Sequence, residues 1–389
     1  MFLDHTSIWI YPIVMALIVY FSSFLIKLDF FKEVTTHEVT GRFVVLDGLR
    51  GFLALNVFFQ HAITSYFYFQ KGIWEIVPIS FYRHLGGEAV ILFFIMTSFL
   101  YWSKAIYQNG SIDAGSLYRS RFLRLAPMYI FSGVVIFLSI LIQSGFKIDF
   151  FQSAKDVLSW LSLGLLTTTS VNHITILPIN AGVHWTLSFE WVFYLILPIL
   201  AISLRSFKTF IMATPIMFFA LSSPYRGYWA IFFFGIISAH IYKKYPNINI
   251  DFKKPLYSLF PILGMVIIYF MGNKPYSFPQ YFISLFVFLS FVYGADIFGL
   301  LKNKVSRFLG TISYSLYLLH GIVLFAVLNS VDYFYPISKI SPMIFWILIL
   351  FCGILTVIVS SITYKYIESP FIHRIRNGSK HNDLSRDVI

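Results

Sequence analysis

The sequence predicts an all-α, polytopic integral membrane helix bundle of about eleven transmembrane helices, with the N-terminus outside and the C-terminus cytoplasmic. Three observations carry this. Of 389 residues, 58% are hydrophobic and 20% aromatic, while only 12% are charged, about half the share of an ordinary soluble domain. The apolar residues form runs long enough to cross a hydrocarbon core, which takes about 20 residues per helix. The basic residues gather in alternate short connections between those runs, which is how positive charge orients helices in a bilayer.

The first run, Ile8 to Ile26, has no basic residues ahead of it and is followed by Lys27 and Lys32 where a secretory leader would carry a small-residue cleavage site. It reads as a retained helix entering from outside. Further helices are expected at 46–70, 86–104, 125–143, 184–204, 209–222, 226–243, 255–272, 280–300, 308–329 and 343–366. Those at 209–222 and 226–243 are short and joined by Ser222 to Arg226, so they could also form one hairpin that does not fully cross. Between the fourth and fifth helices, Val157 to Leu166 is apolar but too short to span, and an amphipathic or re-entrant helix over the outer mouth fits it better.

Charge tests the orientation. The outer loops hold only Lys71, Arg83, Lys147, Lys155, Arg226, Lys274 and Lys339, leaving 22 of the 29 basic residues on the inner side. The net charge of +12 is therefore spread over membrane connections and not gathered on a soluble face, so no nucleic-acid partner is implied. Membrane lipids are the expected surroundings, and a homo-oligomer is left open. The one cysteine, Cys352, lies in an apolar run and reads as a lipid-facing thiol. It allows no disulfide framework or thiolate metal cluster, and no metal site is expected.

Ionisable groups inside spanning helices cost about 2.5–3.5 kcal/mol each at the centre, so each asks for a role. Asp47, Arg50 and His61 lie in the second helix. The eleven-residue step from Arg50 to His61 is three turns, which puts both on nearly one face about 16 Å apart. A neutral imidazole can take a proton from a hydroxyl, so His61 could activate an acceptor alcohol; a structural histidine fits the same spacing. Arg119, Arg121 and Arg124 precede the predicted fourth helix. At a helix start, guanidinium groups can grip phosphate oxygens with help from the dipole, although any basic loop also serves as an orientation signal. Glu190 in the fifth helix needs a partner; it could orient the His61 ring, hold an acceptor hydroxyl, or bond to nearby Tyr and Trp side chains. Tyr314, Tyr317 and His320 form a stripe along the tenth helix, suited to a tunnel wall or to polar contacts between helices.

Arg50, ten intervening residues and His61 resemble the signature of the membrane acyltransferase-3 family, integral membrane O-acyltransferases of surface polysaccharides, lipid-linked sugars and other small acceptors. Matches run along most of the chain. Ala89 to Leu100 resembles the family's third-helix segment, with Ile91 where an acidic residue is usual and Ser98 in its Ser-Gly place; Glu88, one turn away, could substitute. Arg119-Ser120-Arg121-Phe122-Leu123-Arg124-Leu125-Ala126-Pro127 resembles its arginine motif. His184-Trp185-Thr186-Leu187-Ser188-Phe189-Glu190 resembles its Trp-Ser-Leu-x-x-Glu segment, Ser313 to His320 its Ser-Tyr-x-x-Tyr-x-x-His stretch, and Glu368-Ser369-Pro370-Phe371 its closing motif.

The resemblance implies an acyltransferase domain over residues 41–376. An extra helix and cytoplasmic linker would precede it at 1–40, and a disordered cytoplasmic tail would follow at 377–389. It implies an O-acetyltransferase of the bacterial inner membrane, taking an acyl group from acetyl-CoA or another acyl-CoA to a saccharide acceptor, as in exopolysaccharide or O-antigen decoration. His61 and Glu190 would be catalytic. Arg50, Arg119, Arg121 and Arg124 would hold the coenzyme phosphates. Asp47, His184, Trp185, Ser188, Tyr314, Tyr317 and His320 would line the acceptor site or acyl tunnel, and Glu368 would be structural. A transporter or flippase of a lipid-linked saccharide is the rival; it too needs many helices and buried polar groups, but no basic cluster for a cytoplasmic co-substrate.

Overall fold

The computed structural model describes residues 8–36, 43–166, 169–206, 208, 226–247, 252, 254–271 and 275–380. It is helical almost throughout, with sheet limited to the antiparallel pair Ser170–Val171 and Ile174–Thr175. In chain order the helices are α1 (Ile10–Leu25), α2 (Asp29–Thr36), α3 (Val44–Lys71), α4 (Ser80–Tyr107), α5 (Ala114–Gln143), α6 (Phe150–Leu161), α7 (Leu177–Asn180), α8 (Trp185–Ile202) and α9 (Arg226–Lys244). They continue with α10 (Leu259–Phe270), α11 (Phe278–Val292), α12 (Lys304–Thr311), α13 (Ser313–Phe334), α14 (Pro342–Thr363) and α15 (Ser369–Lys380). A π-turn over Tyr364–Glu368 joins the last two.

Among the described residues, α4, α5, α8, α13 and the α14–α15 rod are long and apolar enough to cross a membrane. Apolar helices of 10–17 residues lie at Ile10–Leu25, Pro255–Phe270 and Phe278–Val292. The protein is thus an all-α, multi-pass membrane protein. The predicted helix at 209–222 falls outside the described residues. Helix α3, at 28 residues, has the length to span, but Asp47, Arg50, Gln60 and His61 dilute its apolarity. It lies in the heart of the bundle, against α4, α12 and α13.

Several boundaries differ from the sequence reading for local reasons. Helix α5 starts at Ala114 and not near 125, because Asp113 caps it by accepting from the Gly115 N–H at 3.1 Å. Arg119, Arg121 and Arg124 are therefore carried inside the helix, and its N-terminal dipole is not aimed by them. The expected 280–300 helix stops at Val292, where Gly294 and Gly299 adopt positive φ and Asp296 binds the Gly299 N–H. The amphipathic segment forms earlier than expected, over Phe150–Leu161; Asp149 caps its start, and Leu163 and Gly164 turn the chain at its end with positive φ. Helix α15 runs to Lys380, past the expected start of the tail at 377; residues 381–389 lie outside the described set.

Two apolar clusters fill the bundle. One joins faces of α3, α4, α5, α8, α9 and α11; the other joins α1, α3, α12, α13 and α14. Phe52 and Phe93 pack against both. Cys352 is fully buried in the second cluster, so its thiol faces protein and not lipid as the sequence reading had it. Helix α3 crosses α12 and the turn at Leu300–Lys302 closely: a Cβ on Gly48 would overlap the Leu301 carbonyl, and one on Gly310 the Asp47 carbonyl. Small residues at such crossings let backbones approach where lipid supplies little driving force for helix association. Helix α1 braces the far side of α3, with Tyr11 donating to Asn56 Oδ1 at 2.8 Å.

Between α6 and α8 the chain folds into the bundle as a plug. Residues 178–184, with Ala181 and Gly182 at positive φ, are buried. Non-helical backbone at this depth is tolerated where protein surrounds it. The Asn180 amide serves the plug twice, accepting from the Gly182 N–H at 2.8 Å and meeting His184 Nδ1 at 3.0 Å.

Candidate active site

The central feature is a pair of histidines from two helices that are 259 residues apart in sequence. His61 Nδ1 of α3 lies 2.9 Å from His320 Nε2 of α13. The rings are nearly parallel, with 14° between planes and centroids 5.2 Å apart. The other nitrogen of His320, Nδ1, is 3.2 Å from the Leu316 carbonyl. A carbonyl only accepts, so His320 Nδ1 carries a proton, and in a neutral ring Nε2 is then bare. His61 Nδ1–H must be the donor to it. The lone pair of His61 is left on Nε2, which makes no hydrogen bond to the described residues. His320 is completely buried, whereas His61 is only partly so. Trp74, in the loop after α3, covers its ring at 6.3 Å.

A cavity of about 870 Å³ opens at the basic end of the bundle, within the usual range for small-molecule sites. Its mouth is formed by Lys104 and Gln108 of α4, Asp113 and Arg119 of α5, and Arg374 of α15. Deeper in, Arg50, Arg121 and Arg124 face Glu190. Val90, Phe93, Thr186 and Tyr317 line its inner part. Six basic side chains thus stand against two carboxylates, Asp113 and Glu190. Arg121 lies over two aromatic rings, 5.0 Å from Tyr101 and 5.8 Å from Tyr194, and its buried Nε has no hydrogen-bond partner. Such guanidinium groups suit phosphate oxygens.

The sequence-predicted residues divide by position. Arg50, Arg119, Arg121, Arg124, Glu190, Tyr314 and Tyr317 all line this cavity. His61 and His320 lie just past its end, the His320 ring 6.1 Å from that of Tyr317. The expected contact between Glu190 and His61 is not made. Glu190 accepts from Thr97 at 3.3 Å and from Tyr194 at 3.5 Å, and Arg50, Arg121 and Arg124 are the cations around it. It balances guanidinium charge, and His320 takes the part of ring partner.

Tyr317 bonds to Thr186 Oγ1 at 2.9 Å and Tyr314 donates to the Leu125 carbonyl at 2.8 Å, so both tie helices together as well as lining the cavity. Asp47 sits among Arg50, Arg124 and Arg307 at the basic end. Trp185 packs on Tyr228, with centroids 4.9 Å apart, while Ser188 donates to the Gly164 carbonyl and His184 is locked in the plug, so these last two brace the structure.

Sequence reasoning missed the pairing itself, since nothing local links position 61 to position 320. It also missed Lys104 and Arg374 at the mouth, which the sequence offers only as basic residues near helix ends. Glu368 proves more than a surface residue. The π-turn carries it to 1% exposure, where Oε2 accepts from Ser315 at 2.9 Å and Arg124 and Arg50 are nearby; π-turns of this kind frequently mark functional sites.

A family model described as an acyltransferase domain matches residues 43–365 of this chain. The chain is also similar to a protein of Acidianus two-tailed virus named "Putative acetyltransferase ORF330", at 25% identity over 295 residues, covering 70% of this chain and 80% of that protein. No solved structure matches.

Proposed function

The chain belongs to the acyltransferase-3 family, and on that premise we propose that it moves an acetyl group from cytoplasmic acetyl-CoA to a hydroxyl of a cell-surface or lipid-linked saccharide. The basic end of the bundle then faces the cytoplasm of the bacterial inner membrane, where the coenzyme is found, and the Trp74 end faces outward. The observation that carries the reading is the His61–His320 pair standing next to Tyr317, which lines a cavity with basic walls.

Each residue has a task. Lys104, Arg119 and Arg374 at the mouth, with Arg121 and Arg124 further in, hold the three phosphates of the coenzyme; the open Nε of buried Arg121 fits that role. Arg50 lines the path inward and Glu190 keeps the inner guanidinium groups in register. His61 Nε2 accepts the proton of the acceptor hydroxyl as its oxygen attacks the thioester carbonyl. The carbon–sulfur bond breaks, and the same nitrogen returns the proton to the departing thiolate, giving ester and free coenzyme thiol. His320 keeps the His61 proton on Nδ1 throughout, so Nε2 is always the reacting nitrogen.

The test is His61→Ala in purified protein held in nanodiscs. Transfer of labelled acetyl to the membrane glycan fraction should be lost while acetyl-CoA still binds. Undiminished transfer would remove His61 from the chemistry.

A further inference from the structure

Beyond the inner end of the donor cavity, on the same helix α4 that lines it from Gln108 to Val90, a buried carboxylate is held at one oxygen and unpaired at the other. Glu88 is 3% exposed. Its Oε2 accepts from Gln280 Nε2 of α11 at 2.9 Å, and Gln280 Oε1 in turn accepts from the Tyr276 backbone N–H at 2.9 Å. The buried Ser284 hydroxyl also lies within hydrogen-bonding reach of the carboxylate, although its closest acceptor is the Gln280 carbonyl at 2.9 Å. Glu88 Oε1 is left without a partner. A buried polar atom in that condition costs about 1–3 kcal/mol, more when charged, so it calls for a partner that the described residues do not supply.

A Cβ on Gly86 would overlap Gln60 Oε1, so α4 meets α3 beside Gln60, the neighbour of His61, within one turn of Glu88. Tyr276 has Glu88, Tyr228 and Tyr317 among its electrostatic neighbours, which joins this cluster to the cavity end. Tyr228 packs against Tyr276 at 5.2 Å and Trp185 at 4.9 Å, forming an aromatic wall.

We propose that Glu88, oriented by Gln280, is the acceptor subsite. It takes a hydrogen bond from one hydroxyl of a polyhydroxylated, saccharide-type acceptor and so presents a neighbouring hydroxyl to His61. This rests on the acyltransferase reading above. A preformed carboxylate selects a second hydroxyl because an acceptor that lacks one leaves Oε1 buried and unpaired, a penalty that discriminates more strongly than apolar contact does.

The experiment uses the full chain in nanodiscs with acetyl-CoA and two probe acceptors, methyl β-glucopyranoside and n-butanol. Wild-type protein is expected to prefer the glycoside. Glu88→Gln, which keeps the size of the side chain, should raise the glycoside KM and reduce the glycoside-to-butanol selectivity by about tenfold or more, with acetyl-CoA affinity and thermal midpoint unchanged as controls of folding. Gln280→Leu, which frees the carboxylate to turn, should erode the same selectivity to a smaller extent. Selectivity that survives in Glu88→Gln overturns the subsite, as does wild-type protein that acetylates butanol but not the glycoside. Wild-type protein that acetylates neither alcohol and consumes no acetyl-CoA overturns the acyltransferase reading instead.

Discussion

His320 is the sharpest point at which to test the chemistry, because the structure gives it no task except to hold the His61 ring. Replacing it with leucine keeps an apolar volume in a fully buried position and removes the acceptor 2.9 Å from His61 Nδ1. Two costs follow. The hydrogen bond is worth about 1 kcal/mol net, and an N–H left unpaired at that depth costs about 1–3 kcal/mol more. The ring relieves the second cost by turning or by moving its proton to Nε2, and either change withdraws the reacting lone pair. A loss of about 2–3 kcal/mol corresponds to a fall in kcat of roughly 30- to 150-fold. His320→Gln offers an amide oxygen that can accept from Nδ1–H, so it should recover at least about tenfold over leucine. The assay is transfer of labelled acetyl at saturating acetyl-CoA, with coenzyme affinity measured separately by calorimetry and expected to stay within about twofold. A leucine variant within about threefold of wild type, or a glutamine variant no better than leucine, would refute the idea that His320 fixes the tautomer of His61.

Three more outcomes follow from other parts of the bundle. Arg121→Ala should weaken acetyl-CoA binding by about 10- to 150-fold, the worth of a charge-assisted hydrogen bond of about 1.5–3 kcal/mol, and leave the acceptor KM unchanged; calorimetry with the free coenzyme decides, and an effect confined to the acceptor would place the arginine elsewhere. Gly310→Ala drives a methyl group into the Asp47 carbonyl, a backbone atom that cannot swing away, so the thermal midpoint in detergent should drop by the equivalent of about 3 kcal/mol; an unchanged midpoint would mean that α3 and α12 do not meet there. In the loop after α11, burial alone would push the Asp296 carboxyl up, but hydrogen bonds from Lys302 and the Gly299 N–H hold it below the usual carboxylate range. A depressed carboxylate stabilises the fold fully above its unfolded value near about pH 4 and loses that contribution as pH falls through the lower folded value. Wild type should therefore lose stability more steeply than Asp296→Asn over about pH 5 to 2, and parallel curves would count against the pair.

Much of this site is legible in the sequence because it obeys local periodicity. The three-turn step from Arg50 to His61 places both side chains on one helix face before any tertiary contact exists, and Arg119, Arg121 and Arg124 stand out as a basic cluster although the helix that carries them starts earlier than the apolar pattern shows. Tyr317 and His320 share a face for the same reason. What the sequence does not carry is which face of α13 meets which face of α3. Backbone contacts at Gly48, Gly51 and Gly310 seat α3 against α12, which runs directly into α13, and there the absence of a side chain leaves nothing for a hydrophobic pattern to register. The costly charge of Glu190 suggests it as a partner for His61, whereas the packing supplies His320. Helix starts suffered in a similar way. Asp113 and Asp149 are ordinary polar residues until their carboxylates are seen accepting the first N–H groups of α5 and α6.

The arrangement of charge explains why a histidine, and not a carboxylate, stands behind the base. Among the described residues, Asp47, Glu190 and Glu368 all have arginines for neighbours, and Arg50 and Arg124 recur around each of them. A lone carboxylate behind His61 would lack that compensation, and an unpaired buried charge costs several kcal/mol even after relaxation. A neutral imidazole accepts the Nδ1 proton without bringing a charge to be paid for, and its own second nitrogen is settled by the Leu316 carbonyl of the same helix. The arginine-balanced carboxylates Asp47, Glu190 and Glu368 thus stand at the end of the bundle where a polyanionic donor is proposed to bind, while the proton-transferring pair stays neutral until the acceptor hydroxyl arrives. The positive charge that develops on His61 during transfer then lasts only as long as the oxyanion beside it, so no permanent counter-ion is needed at that depth.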